Sequence, residues 1–259
     1  MIKKKDRASI EKMATAGSHL AEIFELLAVQ IVPGMSTLQI DALVDRELAE
    51  RGLRSETTGY MGYAHASCAS VNDEVVHGVP SAHRMLKDGD IVSVDVCASW
   101  QGYCADMART FFVGSVAAKT KHFVVAAQRA LDEGIDQARP GNKLSDVSAA
   151  IQRVVEKQGY SVVRDFAGHG IGRCMHEEPE ILNYGKPGRG PVLQAGMTLA
   201  IEPMITMGRY EVHVTADGWT VKTDDGSLAA HIEDTVLVTE DGPCILTRGE
   251  KVSPGVEQI

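Results

Sequence analysis

The sequence contains no CxxC pair. Its five cysteines, Cys68, Cys97, Cys104, Cys174 and Cys244, are an odd set at irregular spacing. That excludes a zinc-finger ligand pattern and favours reduced thiols in a cytosol over a disulfide framework. Also missing is any apolar run long enough to span a bilayer. Lysines near the N-terminus are not followed by an apolar h-region, so no secretory signal is read there. A cytoplasmic chain without a membrane partner is expected. Basic charge is scarce: 26 Lys and Arg stand against 35 Asp and Glu, a net −9. This balance argues against a general nucleic-acid binder. The one basic run, "KKK" at 3–5, is expected to be a solvated tip. No linker of Gly, Ser and Pro interrupts the chain. With 259 residues, 44% of them apolar, it is read as one domain over 1–259.

What is present is an internal repeat. "VPGMSTLQIDALVDRELAERG" (32–52) aligns with "RPGNKLSDVSAAIQRVVEKQG" (139–159) at an offset of 107 residues. The same offset aligns "LKDGDIVSVD" (86–95) with "LQAGMTLAIE" (193–202), so that Asp95 matches Glu202. A shared Pro-Gly, a shared helix-ending Gly and a shared acid at the end of a β-run point to duplication into two units, not a solenoid. Each unit reads as a Pro-Gly turn and then a helix with apolar residues at helical spacing (Ile40, Leu43, Val44, Leu48). A C′ glycine ends the helix, and a β-run carrying an acid follows. Further helices are expected at 7–30 and at about 119–138. The predicted architecture is α+β, antiparallel sheets covered by helices, with pseudo-equivalent halves at about 8–115 and 116–249.

The β-runs raise a problem of charge. In "DIVSVDVCASWQGYCADMARTFFV" (90–113), Asp95 and Asp106 stand among residues that read as buried, and an unpaired buried carboxylate is costly. A turn centred between Trp100 and Gln101 sets the two acids opposite each other, at ~4.5–5.5 Å between Cβ atoms. A Gln101-Gly102 turn makes them diagonal neighbours at ~7–8 Å. Either register gathers two like charges on one face, which suits a shared cation. Glu202 ends "LAIE" and Glu233 lies in "HIEDTVLV". The segment between them, 203–230, is expected to form an extended arm or hairpin. His169 stands between two glycines in "AGHGIGRCMHEEP", His176 follows seven residues later, and His77 precedes a glycine in "NDEVVHGVP". Four carboxylates (Asp95, Asp106, Glu202, Glu233) balance two divalent cations. With the imidazole of His169 they form an oxygen-rich site for metals of the Mn, Fe, Co or Zn kind, at the spacing of hydrolytic two-metal centres.

Taken singly, each member has a plainer reading: an edge aspartate, or a hydrogen-bonded core histidine. His19, His65, His83, His122, His213 and His231 are read as surface or structural. Glu177 and Glu178 are read as exposed acids. Asp234 is read as solvated or as support behind Glu233.

Taken together, "NDEVVHGVP", "VDVCASWQGYCADMART", "AGHGIGRCMHEEP", "AIEP" and "HIEDTVLVTEDG" resemble the type I methionine aminopeptidases over roughly residues 8–249. The resemblance implies the duplicated pita-bread fold and removal of the initiator methionine, with preference for a small second residue. It implies two divalent metals, bridged by Asp106 and Glu233, with Asp95 completing one site and His169 with Glu202 the other. Glu202 would accept a proton from the attacking water, His176 would stabilise the oxyanion, and His77 would contact the substrate amide. Tyr60, Tyr63, Cys68 and Trp219 would surround the methionine side chain. Met175 stands where the family usually has Phe, which alters one pocket wall. The implied partners are N-termini of nascent polypeptides, with the ribosome as a further candidate. A monomer is expected, in the short bacterial form without an additional N-terminal domain. Such a protein would be expected to retain its own Met1, because Ile2 is β-branched. Two rivals are a non-catalytic module of the same fold, which would be expected to lose ligands kept here, and an exopeptidase cleaving before proline.

Overall fold

The computed structural model describes residues 2–248. The expectation about Met1, the last residue of the second half and both ends of the domain range 1–259 therefore lie outside the described residues. Among the described residues there are four α-helices: α1 Arg7–Gln30, α2 Thr37–Glu50, α3 Ala118–Asp136 and α4 Leu144–Lys157. All paired strands are antiparallel.

The 107-residue repeat is a structural repeat. Helix α2 maps onto α4 residue for residue, and the isolated bridge Ser36–Met85 maps onto Lys143–Val192. Gly34 (φ 87°), Gly52 (φ 68°) and Gly89 (φ 92°) map onto Gly141 (φ 90°), Gly159 (φ 77°) and Gly196 (φ 88°). These positive φ values are why glycine recurs at matched positions. Even the helix starts correspond: Ser36 N donates to Gln39 Oε1, and Lys143 N donates to Asp146 Oδ2. The expected apolar face of α2, Ile40, Leu43, Val44 and Leu48, is buried. In α4 the equivalents Val147, Ala150, Ile151 and Val155 are buried too. Each such larger side chain contributes roughly 1.5–3 kcal/mol.

The central sheet runs in the order Arg54–Ser55, Ile91–Trp100, Tyr103–Phe112, Glu233–Thr239, Thr198–Ile201, Gly168–Gly170, Glu177–Ile181. Thus the long strands of the two halves meet at its centre. Side-chain alternation divides the sheet into two faces. On the first hairpin, Val92, Val94, Val96, Ala98, Ala105 and Met107 pack with α1 and α2. In the second half, Leu199, Ile201, Val236 and Val238 pack with α3 and α4. The other face carries Asp95, Asp106 and Glu233, and all three line one cavity.

The hairpin turns at Gln101-Gly102, since Trp100 pairs with Tyr103. Both turn residues have positive φ, 48° and 77°, as a two-residue hairpin of this hand requires. Asp95 then pairs with Ala108 and Asp106 with Cys97, so the two acids are diagonal neighbours. Asp95 does not end its strand, which continues to Trp100; Glu202 directly follows the strand Thr198–Ile201. Segment 203–230 contains the expected hairpin: Val212–Val214 pairs with Val221–Thr223, which pairs in turn with Glu74–Val76. No helix among the described residues is long and apolar enough to cross a membrane.

Three surface expectations are corrected. Lys5 is 6% exposed, and its Nζ lies 2.8 Å from Glu177, whose side chain is itself buried. Neither belongs to a solvated tip or an exposed acid, because the N-terminal segment is tied in by Lys5 N donating to Gly196 O. Asp234 is fully buried on the helix-covered face, held by Arg109 (2.6 Å), Arg248 (2.7 Å) and Thr247 Oγ1 (2.7 Å). It faces away from Glu233 and stabilises the join between strands.

Candidate active site

The site assembles where the two halves meet. Asp95 and Asp106 come from the first hairpin. Glu233 enters from the adjoining strand, where it pairs with Ala108. His169 comes from the short strand Gly168–Gly170, which lies between Glu177–Ile181 and Thr198–Ile201. That strand is crowded on both sides. A Cβ at position 168 would fall on the carbonyl oxygen of Ala200, and one at 170 on that of Glu178. The glycines flanking His169 are thus required by close strand packing.

The five expected ligands converge. His169 Nε2 lies 3.4 Å from Glu202 Oε1 and 4.0 Å from Asp106 Oδ2. His169 Nδ1 is 3.0 Å from the carbonyl oxygen of Gly170. A carbonyl only accepts, so Nδ1 carries the proton and Nε2 presents its lone pair to the carboxylates. Asp106, His169 and Glu233 offer donor atoms within 4.8 Å of one another, as do Glu202, His231 and Glu233. Oε1 of Glu233 and Nε2 of His231 are buried and make no hydrogen bond.

Burial and mutual repulsion strain this group electrostatically. Burial, reinforced by Glu202, pushes Asp106 up to about 7. Burial and the neighbouring Asp106 drive Asp95 and Glu233 well above the usual carboxylate range, and burial does the same for Glu202. His169 is pulled down to about 4, by burial and by His176. Four acids unable to ionise together and an imidazole kept neutral are a donor set that a cation would satisfy. Orphaned buried donors, the fixed tautomer of His169 and the oxygen-rich composition all fit divalent metal.

The remaining expected residues surround these. All twelve line one cavity of about 320 Å³. Tyr63 stands edge-on to Trp219 at 4.9 Å between ring centroids, and its hydroxyl donates to Ser67 O. Cys68 is buried beside it, its thiol pushed up by burial and by Asp95. Met175 and Tyr60 complete the apolar lining. Tyr60 Oη is 3.0 Å from His176 Nδ1, and the His176 ring stands on His169 at 4.4 Å. His77 has φ 57°. Gly78 behind it admits no side chain, since a Cβ would lie 2.6 Å from Ala69 O. Burial, with His231 and His176, lowers His77 to about 4.

Eight lining residues escaped the sequence reading, among them His231, Cys97 and Phe166. His231, 2% exposed, faces Glu202 and Glu233 at 3.3 and 3.9 Å; of its two readings, surface or structural, the first is excluded. Its spacing of two from Glu233 in a β-run placed both on one face, a signal that was available. Cys97 shares the face of Asp95 for the same reason. Phe166 stands edge-on to His77 at 5.5 Å, a long-range contact without a local signature.

Residues 11–240 match metallopeptidase family M24. A methionine aminopeptidase of Clostridium acetobutylicum is 45% identical over 247 residues, covering 95% of this chain and 99% of the relative. Methionine aminopeptidase 1 of Bacillus subtilis is 44% identical over 236 residues, covering 91% and 95%. The crystal structure of methionine aminopeptidase from Thermotoga maritima is similar at a TM-score of 0.94 and 46% identity, covering 96% of this chain and all of that one. Prolidase from Pyrococcus furiosus, at 24% identity and a TM-score of 0.77, shares the pita-bread fold. The chain belongs to metallopeptidase family M24 and, within it, to the methionine aminopeptidases.

Proposed function

We propose that this chain, acting as a single catalytic domain in the cytoplasm, removes the initiator methionine from nascent polypeptides, with two divalent cations and a preference for a small second residue. The observation that carries the reading is the convergence of four carboxylates, Asp106 and Glu233 buried and Asp95 and Glu202 half-buried, and His169 Nε2 on a cavity walled by aromatic and sulfur side chains. Asp95, Asp106, His169, Glu202 and Glu233 would hold the cations, which when bound supply Lewis acidity and an acidified water.

The chain's own residues supply the rest. Glu202 accepts the proton of the attacking water on a carboxylate oxygen. His176, engaged at Nδ1 by the Tyr60 hydroxyl, donates from Nε2 to the scissile carbonyl oxygen as negative charge develops there. His77 is kept neutral at neutral pH, so one ring nitrogen can donate while the other accepts. It orients the substrate amide, and as it passes its N–H proton to the leaving amine its other nitrogen takes up the proton that Glu202 removed from the water, so that His77 ends neutral. The polarizable walls suit a thioether. A cavity of about 320 Å³ lies near the lower bound for ligand pockets, about 300 Å³, and leaves little room beyond one methionyl residue.

The test is release of the first amino acid from Met-Ala-Ser, Met-Val-Ser, Leu-Ala-Ser and Ala-Pro-Ser. Cleavage should be fastest for Met-Ala-Ser and weak for the other three. Preferential cleavage of Ala-Pro-Ser would overturn the reading in favour of a proline-directed exopeptidase.

A further inference from the structure

His231 lies outside the ligand set that the resemblance implies, yet its side chain is held as a ligand is held. It ends the strand Ala229–His231, where it pairs with Met204. Its backbone is fixed to the first half: His231 N donates to Ser93 Oγ at 3.2 Å, and Thr110 Oγ1 donates to His231 O at 3.0 Å. The residue is 2% exposed, so solvent is not its partner.

Its Nε2 is 3.3 Å from Glu202 Oε2 and 3.9 Å from Glu233 Oε2, and makes no hydrogen bond to either. Glu233 Oε1 is unpaired as well. A buried imidazole nitrogen beside two carboxylates would ordinarily align on one of them. Donor atoms that share one ion at ~2.0–2.2 Å are ~3.0–3.4 Å apart and point at the ion, not at each other. The Nε2–Oε2 separation has that length and lacks hydrogen-bond alignment. Glu202 offers Oε1 to His169 at 3.4 Å and Oε2 to His231 at 3.3 Å. Two three-donor groups result, one through His169 and one through His231, with Glu233 in both.

We propose that His231 Nε2 is a sixth protein ligand of the centre, holding a divalent cation together with Glu202 and Glu233. The inference rests on the reading of this cavity as a metal centre. One imidazole in each donor group, in place of one in all, shifts the site toward metals that favour nitrogen. Co²⁺ and Zn²⁺ gain relative to Mn²⁺.

The experiment titrates chelator-stripped wild type, His231→Gln and His231→Ala with Co²⁺ and with Mn²⁺, by calorimetry and, for cobalt, visible absorption. His231→Gln retains most of the buried volume. Its Co²⁺ affinity for one equivalent is expected to fall at least ~10–100-fold, with a changed cobalt spectrum and a smaller loss for Mn²⁺. Affinities and spectra within twofold of wild type in both variants would overturn the proposal. So would a change confined to substrate KM. A reading that needs no variant comes from the NMR spectrum of cobalt-loaded wild type. Two hyperfine-shifted ring N–H protons are expected, from His169 and His231, and a single one would overturn the proposal. A wild type that takes up no divalent cation would overturn the metal centre itself, an outcome distinct from unchanged binding in the variants.

Discussion

Glu233 and His176 stand within one cavity but differ in kind. Glu233 is 2% exposed, repelled by four neighbouring acids and partnerless at Oε1. His176 sits at the exposed rim, hydrogen-bonded to Tyr60. Substituting each by alanine should separate binding from rate. Glu233→Ala should lose bound metal and, with it, activity. His176→Ala should keep its metal and lose ~10²–10³ in kcat, the usual consequence of deleting an oxyanion donor. Metal content and kcat measured on the same preparations decide this; equal metal loss in both variants would contradict the roles. The acids themselves were legible in the sequence because a strand places its side chains by parity. Asp95 and Asp106 had to share a face in either turn register, and Glu233 was flanked by a β-run. His231 obeyed the same parity relative to Glu233, but a lone histidine carries too little signal until its neighbours are known. Of the two readings of Asp234, solvated or supporting, burial excludes the first. Parity correctly turned it from the cavity, but the strand is covered on both faces, so the side taken for solvent holds Arg109 and Arg248.

The element that brings Trp219 to the cavity is the hairpin Val212–Val214/Val221–Thr223, whose loop carries it. Asp217 organises that loop. Its carboxylate accepts from the backbone N–H groups of Trp219 and Thr220 and from the hydroxyls of Thr215 and Thr220. Burial pushes the carboxyl up, but these hydrogen bonds outweigh it and hold it down to about 2, against 3.8 for a free aspartate. The folded value is depressed, so the stabilisation is complete above the unfolded value and is lost as pH falls through about 2. Trp219 fluorescence, read in a Trp100→Phe background, should hold steady from neutrality to about pH 4 and change only in stronger acid. Asp217→Ala should raise KM for methionyl substrates at neutral pH more than it lowers kcat. A wild-type loop that melts near pH 6, or a variant with unaltered KM, would contradict this role. The hairpin was expected from the glycines at 208, 218 and 226, whereas its pairing with Glu74–Val76 joins segments about 140 residues apart in sequence and left no local trace. The Lys5–Glu177 pair was hidden in the same way: "KKK" reads as a free end until the chain is folded.

At the scale of the whole molecule, duplication explains where the chemistry lies. Each half supplies a helix-covered β-unit, and the acid-bearing faces meet along Tyr103–Phe112 and Glu233–Thr239. The acids and histidines of the shared face are divided between the halves. Asp95 and Asp106 come from one, and His169, Glu202, His231 and Glu233 from the other. The repeat itself was plain in the sequence because Pro-Gly turns, C′ glycines and helix faces recur at one fixed offset. The departure from symmetry, the insertion 203–230, is what brings Trp219 to the cavity. The central claim is that this shared face requires divalent metal in order to release methionine. The most direct measurement is methionine release from Met-Ala-Ser by chelator-stripped protein as Co²⁺, Mn²⁺ or Fe²⁺ is added back in known equivalents. The account predicts no release without metal and recovery that saturates within two equivalents per chain. Full release by the metal-free protein, with no gain on adding metal, would contradict it.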